Sequence, residues 1–249
     1  KYRPIQSRES FGILEELVQG GELGIDTIGT LNDGRRTFIA ASILSDPLEV
    51  VPGDMLEKYL MLADSWDGSL ALTILSVALL TVCKNTLQAA MNEGGRKVKG
   101  RHTKGVLGAT SVAKLREAMG IAESQLSEFA EFGRTLASIR MSEDEVSDFH
   151  KALVLGDKRN SAVDDWTGQQ RRAIGELGWL MTDGPGQEIE GRAGTAWGAL
   201  NSVTAWTNHV KNHRRDTETD RTQFVVFGGG NAINEQAKQL LVSQYQLAA

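Results

Sequence analysis

A turn between two runs of strand-forming residues constrains the fold of this chain more than any other feature. Residues 58–65 and 70–75 favour extended structure, and residues 66–69, with the sequence Trp-Asp-Gly-Ser, lie between them. An Asp-Gly pair is typical of hairpin turns because glycine readily adopts the positive φ that such turns need. Both faces of 70–75 are largely apolar, so we expect a central strand covered on both sides, although a buried helical segment has the same apolar pattern.

A similar pattern precedes this hairpin. Residues 27–31 and 35–43 favour strands, and the Asn-Asp-Gly sequence at 32–34 supplies another tight turn between them. Residues 46–54 contain two prolines and are predicted as a loop or as the entry to the next strand. The two hairpins together predict four antiparallel strands between residues 27 and 80.

Helical spacing of apolar residues dominates the rest of the chain. Helices are predicted at residues 10–18, 81–92, 111–119, 123–139, from Ser142 onward, 164–180 with Trp166, Ile174, Leu177 and Trp179 in the core, 195–210 as an amphipathic helix, and 234–244. The Gly-rich segment 182–194 is predicted as a loop. We therefore expect an α+β fold: an antiparallel sheet of about four to five strands from two hairpins, flanked by helices, with a mainly helical carboxy-terminal half.

This order of elements predicts one domain over residues 1–249. Its sheet-containing core and a basic loop would occupy residues 1–110, and its mainly helical part residues 111–249. The longest apolar stretch, residues 69–82, is too short and too rich in Ser and Thr to span a bilayer, so no membrane association is expected.

Charge is distributed unevenly along the chain. The 27 Lys and Arg residues against 32 Asp and Glu residues leave a formal net charge of −5, which by itself argues against a nucleic-acid partner. Residues 94–116, however, carry 7 basic and 0 acidic side chains, whereas residues 117–149 carry 2 basic and 8 acidic ones. A local field of this kind attracts phosphate groups, and its glycines allow a close approach of the backbone.

The candidate nucleic-acid-binding residues follow from this block and from the turns. They are Arg96, Lys97, Lys99, Arg101, His102 and Lys104 in residues 94–105, which we call the basic block, Lys84 and Arg116 on either side of it, Arg35 and Arg36 at the first hairpin turn, and Trp66 at the second. A tryptophan at the tip of a turn is less easily buried than a helical one, and bases stack on exposed aromatic rings. The alternatives are a solvated loop that offsets its acidic flanks and, for Arg35 and Arg36, a charged strand edge that prevents aggregation.

Catalytic patterns are weak. The single cysteine, Cys83, lies among apolar residues and favours a reducing compartment rather than a disulfide. His209 and His213 have metal-ligand spacing but lie among basic residues, and the basic block lacks the Gly-Lys-Ser/Thr ending of a Walker motif. We therefore predict no enzyme activity, no cofactor and no metal.

Four sets of residues are informative when they are taken together: the turn at 66–69, residues 82–87 (Val-Cys-Lys-Asn-Thr-Leu), residues 101–103 (Arg-His-Thr), and the late Trp197, Asn201 and His209. Together they resemble the phage- and plasmid-encoded "phage/plasmid-like" domain of unknown function, over most of the chain from Tyr2 to the final helix. The Cys-x-Asn-Thr-Leu string is the most specific part. The family usually has His where this chain has Trp66, and Arg where it has Leu80.

The resemblance implies a mobile genetic element and a cytoplasmic location in a bacterial host. A weaker resemblance is topological: a helix, antiparallel hairpins and a helix on the sheet, with a basic groove, are similar to the ring-forming single-strand annealing recombinases of phages and eukaryotes. This implies a homo-oligomeric recombination or replication accessory protein of a phage or plasmid that binds and anneals single-stranded DNA, or also binds duplex DNA, without strong sequence preference. The alternative is a non-catalytic protein-interaction factor, such as an inhibitor of host defence.

Overall fold

An antiparallel sheet and the helices that flank it make up the fold. The computed structural model describes residues 7–31, 33–80, 86–88, 98–100, 110–211, 221 and 223–247. Strands occupy the first part of the chain, and almost all regular structure after residue 110 is helical. The predicted α+β class is therefore confirmed.

The elements follow one another along the chain with a clear division between strands and helices. The strands are β1 (Leu23–Leu31), β2 (Arg36–Ile43), β3 (Leu48–Val51), β4 (Asp54–Ser65), β5 (Leu72–Leu80), β6 (Thr86–Gln88) and β7 (Val98–Gly100). The helices are α1 (Ser7–Gln19), α2 (Thr110–Ser138), α3 (Glu143–Leu155), α4 (Gly168–Asp183), α5 (Ala196–Ala205) and α6 (Gly229–Tyr245), with π-helical turns at Trp206–Val210 and Gln223–Phe227. In the described part of the chain, none of the helices has the length and apolar character needed to cross a membrane.

Both predicted hairpins form. The sheet has a continuous path in the order β1-β2-β4-β5-β6, while β3 pairs with β4 and β7 pairs with β5. Strand β5 is bonded to β4 along one edge and to β6 and β7 along the other. Its alternate residues pack into clusters on opposite faces, Ile74 on one and Leu75 and Val77 on the other. The prediction of a central strand covered on both sides is confirmed.

Two strands lie where the sequence indicated other structure. The predicted loop at 46–54 contains β3, because its two prolines fall outside the strand: Pro47 precedes it and Pro52 is in the turn, where Gly53 has φ 85°. The predicted helix at 81–92 is wrong at its centre, where β6 pairs with residues Val77 to Leu79 of β5. An open strand edge with unpaired backbone groups outweighs weak local helix propensity. The remainder of that predicted helix lies outside the described residues.

The first strand is longer than predicted. It begins at Leu23 rather than at residue 27, and its register against β2 shifts between Ile25 and Thr27. Asp26 is the extra residue of this β-bulge. A bulge interrupts the alternation of buried and exposed positions, which is why the pattern in the sequence indicated only the second half of the strand.

A single helix, α2, replaces the two predicted at 111–119 and 123–139. Leu115, Ala118, Ala122, Leu126 and Phe129 form an uninterrupted buried stripe through the expected break. Gly120 lies on the exposed side of the helix, where its cost of about 1 kcal/mol is outweighed by burial of the stripe. Helix α2 covers one face of the sheet and also packs on α1 and α5.

Helix α5 is buried on every side, so the predicted amphipathic helix at 195–210 is wrong in this respect. All ten residues of α5 are buried, and its polar side chains bond to the carbonyls of the preceding turn. Asn201 Nδ2 donates to the Trp197 carbonyl at 2.8 Å, and Ser202 Oγ donates to the Ala199 carbonyl at 2.7 Å. Polar residues that bond to their own helix need no contact with water.

Helix α4 begins later than predicted, at Gly168, after a capping box formed by Thr167 and Gln170. Trp166 is buried and Leu177 is fully buried, as expected. Trp179, in contrast, is 54% exposed, so its prediction as a core residue is wrong. It lies on the solvent side of the helix, next to the buried Leu180.

A buried ion pair joins the sheet to the helical half. Asp54, the first residue of β4, accepts hydrogen bonds from Arg192 Nε at 2.6 Å and from Trp197 Nε1 at 2.7 Å. Both Asp54 and Arg192 have no solvent exposure. Arg192 comes from the Gly-rich segment 182–194, so this predicted loop contributes a core residue.

Candidate nucleic-acid interface

The tips of the two hairpins lie against each other. The Trp66 amide donates to the Arg35 carbonyl at 2.9 Å, and Arg36 Nε donates to Ser69 Oγ at 3.1 Å. These bonds form because β2 and β4 are neighbours, with Arg36 opposite Ser65 at the end of their register. The structure therefore brings together three predicted residues, Arg35, Arg36 and Trp66. We call them, with Ser69, the hairpin-tip surface.

The second turn holds its shape through its own side chains. Asp67 accepts from the Ser69 amide at 2.9 Å, and Ser65 Oγ accepts from the Leu70 amide at 2.8 Å. The Ser69 hydrogen bonds and the nearby Arg35 charge lower the pKa of Asp67. Its carboxylate thus stays ionised and partly offsets the arginines.

Trp66 is 41% exposed in this turn. Its backbone is fixed by the bond to Arg35, while its indole ring remains partly open to solvent. A rigid, partly exposed aromatic ring is suited to stacking with a base, a contact worth about 1–3 kcal/mol. The prediction that a turn-tip tryptophan is exposed is confirmed.

Part of the basic block reaches the same end of the sheet. Strand β7 pairs with the start of β5, with Lys99 opposite Thr73. The same row continues through Ala63 of β4 to Phe38 of β2, two residues from Arg36. Three strand spacings separate β2 from β7, a distance of about 14 Å. The register thus places residues 98–100 of the basic block at the same end of the sheet as the hairpin-tip surface.

The remaining candidates are distributed differently. Lys84, Arg96, Lys97, Arg101, His102 and Lys104 lie outside the described residues, as do Cys83 and His213. Arg116 lies on α2, where its Nη2 contacts Glu22 at 2.8 Å and Glu16 at 3.6 Å. Glu22 immediately precedes β1, at the end of the strand opposite the hairpin tips. Through these ion pairs Arg116 links α2 to α1 and to the start of β1, far from Arg35 and Arg36.

A cavity of about 390 Å³ lies on the sheet face opposite α2. Its floor is apolar and includes Phe38, Met61 and Val77, with Val225 and Val226 packed above from a π-helical turn. Its polar lining is formed by Asp26, Thr27, Tyr59, Asn208, His209 and Arg221. Ligand sites in proteins commonly have this size and this mixture of apolar surface and few polar groups.

The sequence reasoning missed this cavity. One signal was present: Asp26 lies within a strand-forming run, where aspartate is disfavoured unless it has a special role. Tyr59 gave no signal, because a tyrosine in a strand is ordinary. His209, noted above for its metal-ligand spacing and in the family resemblance, lines the cavity.

Metal-dependent chemistry has no visible basis in the described part of the chain, where no group of three or more His, Cys, Asp or Glu residues is arranged to hold an ion. The two candidate binding sites on the sheet are a cationic and aromatic surface at its end and a cavity with polar walls on its face. The first suits phosphates and bases, and the second suits a small ligand.

No curated protein and no solved structure matches the chain. One family does match, over residues 1–225, which is most of the chain. This chain therefore belongs to the family described as a domain of unknown function, DUF932.

Proposed function

We propose that this protein binds single-stranded DNA at the end of its sheet and acts as an oligomeric strand-annealing accessory factor of a phage or plasmid. The observation that carries the proposal is that Arg35, Arg36 and Trp66 lie at the same end of the sheet as β7, which belongs to the basic block. These residues come from three distant segments. Their common feature is chemistry that suits a polyanion bearing aromatic bases.

The two parts of this surface have separate roles. The arginines and the basic block contact phosphates, which provides affinity without reading sequence. Trp66 stacks on one base, which every base permits because each has a π-face. Binding should therefore weaken steeply with salt and depend little on sequence at the hairpin tips.

The oligomeric part of the proposal is supported by the first strand. Among the described residues, β1 pairs only with β2, so its other edge presents unpaired backbone groups over Leu23–Leu31. Ile25 and Ile28 on this strand are 44% and 61% exposed. A long edge strand with exposed apolar residues favours pairing with a strand of another copy.

The test is fluorescence anisotropy with a labelled 30-nucleotide mixed-sequence strand at low salt. We expect Trp66→Ala to weaken binding by about 5- to 150-fold, the equivalent of one lost stacking contact, and Trp66→Phe to restore most of it. The double variant Arg35→Ala/Arg36→Ala should reduce the salt slope by about 1.4, since each neutralised phosphate on a single strand contributes about 0.7.

A matched control is Arg172→Ala, which removes one exposed arginine from α4 in the helical half. It should leave affinity within twofold. Absence of binding by the unmodified protein at low salt, or equal affinities for all variants, would overturn the proposal. Annealing of complementary labelled strands and light scattering then test the oligomeric part, which fails if a stable monomer anneals nothing.

A further inference from the structure

The cavity beside the hairpin-tip surface has one wall that accepts hydrogen bonds. Tyr59 Oη donates to Glu57 Oε2 at 3.2 Å, and it is also hydrogen-bonded to Asp26. Burial and these two carboxylates raise the pKa of Tyr59, so its hydroxyl keeps its proton at neutral pH. Of these two acids, Asp26 lines the cavity, so its carboxylate supplies the hydrogen-bond acceptor on this wall.

The opposite wall carries positive charge. Arg221 Nη1 donates to the Asn208 carbonyl at 3.2 Å and to the Lys211 carbonyl at 3.4 Å, which fixes the guanidinium beside the π-helical turn. His209 is exposed and lines the same side. The described lining therefore combines an acidic group with a basic one, which suits a ligand that has donors on one edge and acceptors on the other.

The floor of the cavity suits a flat ring. It is formed by strand residues, and the Phe38 ring lies across β1 above Gly29, where an added Cβ would come within 2.6 Å of a ring carbon. Val225 and Val226 face this floor from the π-helical turn. A planar aromatic group can insert between such apolar surfaces and still leave its edges in contact with the polar walls.

The cavity and Arg36 of the hairpin-tip surface lie on the same face of the sheet. Arg36, Phe38 and Ala40 alternate along β2 and so lie on the same face of the sheet. Phe38 and Ala40 line the cavity. Arg36 is two residues from Phe38, about 7 Å along the strand. Ala40, the partner of Thr27 beside Asp26, is four residues from Arg36, so the Asp26 end of the cavity is about 13 Å along the strand from the hairpin-tip surface.

We propose that the cavity receives one unstacked base of the bound strand and selects a base that carries an exocyclic amino group, with Asp26 accepting a hydrogen bond from that group. This inference rests on the proposed function and adds a base preference to it. Cytosine, adenine and guanine have amino donors beside ring acceptors. Thymine has two carbonyl oxygens flanking its only N–H, and these oxygens would face the Asp26 carboxylate.

The β-bulge explains why Asp26 can do this. In a regular strand Asp26 and Thr27 would point to opposite faces, whereas at this bulge, where Asp26 is the extra residue, both line the cavity. Bulges commonly re-aim side chains in this way beside functional sites. Asp26 lies at the rim, where it is exposed and accessible to an entering base.

The first experiment compares labelled oligodeoxythymidine with the same strand carrying one central deoxycytidine. We expect the deoxycytidine strand to bind about 5- to 150-fold more tightly, the range for one specific base contact. Asp26→Asn should bring this ratio close to one, because the carboxylate that favours the amino group and disfavours the thymine carbonyls is gone. Asp46→Asn, which alters an exposed carboxylate elsewhere, should preserve the ratio.

The second experiment separates this inference from the proposed function. Free deoxycytidine and thymidine are titrated into the ¹⁵N-labelled protein, and amide shifts are followed at Gly29, Val225 and Val226. Shifts with deoxycytidine, weaker ones with thymidine and their loss in Asp26→Asn support the cavity even in the Trp66→Ala variant. Equal affinities for the two strands, or no nucleoside shifts at these amides, overturn the cavity proposal. Failure of all strands to bind overturns the proposed function instead.

Discussion

Removing the carboxylate of Asp54 tests how the sheet is joined to the helical half. Asp54→Asn keeps the shape of the side chain but removes the charge that faces Arg192, and both residues are fully buried. The guanidinium cannot lose its proton or reach water without unfolding. Breaking a buried pair in this way costs about 3–5 kcal/mol, because one charge is left uncompensated.

The Trp197 indole adds to this cost. Its Nε1 donates to the same carboxylate at 2.7 Å, and an asparagine can retain that bond only if its oxygen stays in place. A buried donor left without a partner costs about a further 1–3 kcal/mol. Domains are stable by only about 5–15 kcal/mol, so the variant should be close to the limit of folding.

The assay is urea unfolding followed by circular dichroism and tryptophan fluorescence. Asp54→Asn should lower the free energy of unfolding by about 4–8 kcal/mol, the two costs together, whereas the exposed substitution Asp46→Asn should change it by less than about 0.5 kcal/mol. The double variant Asp54→Leu/Arg192→Met should be more stable than Asp54→Asn, because no buried charge remains. A loss below about 1 kcal/mol in Asp54→Asn, or a double variant less stable than the single one, would refute the reasoning.

Two further predictions concern the core. Burial lowers the pKa of His150 from 6.5 to about 4, so the folded state prefers the neutral ring. The free energy of unfolding is therefore unaffected by this residue above pH 6.5 and falls as the pH drops from 6.5 towards 4. This loss should approach about 3 kcal/mol in urea unfolding. His150→Gln, which can still bond Ser202, should flatten the dependence of the free energy of unfolding on pH in this range. Parallel pH profiles for the two proteins would contradict this reasoning. Gly29→Ala should lower the free energy of unfolding by about 1–3 kcal/mol because the new Cβ displaces the Phe38 ring. Adding Phe38→Leu should recover part of this loss, whereas additive losses from the two substitutions would contradict the packing argument.

The hairpins were predictable because turn chemistry and strand alternation are local. Gly34 and Gly68 have φ angles of 83° and 73°, which glycine adopts without strain. The capping box at the start of α3 was also readable, since Ser142 and Glu145 bond each other's backbone as their spacing suggests. In each case the residues that decide the structure are within a few positions of one another.

The mistakes arose where distant contacts decided the outcome. Residues 86–88 form a strand because β5 offers them an open edge, and α5 is wholly buried because other helices and the sheet surround it. Trp179 and Trp197 look alike in sequence, yet one is 54% exposed and the other fully buried. Which side of a helix meets the core depends on elements that local periodicity does not identify.

The candidate sites show the same division. The sequence alone determined that Arg35, Arg36 and Trp66 lie at turns, that a basic block follows the second hairpin, and that the fold is an antiparallel sheet with helices. Tertiary structure decided that β7 and the two turns share one end of the sheet, that Arg116 lies elsewhere, and that a bulge turns Asp26 towards a cavity. Register and packing make these choices, because they join residues that the chain itself keeps far apart.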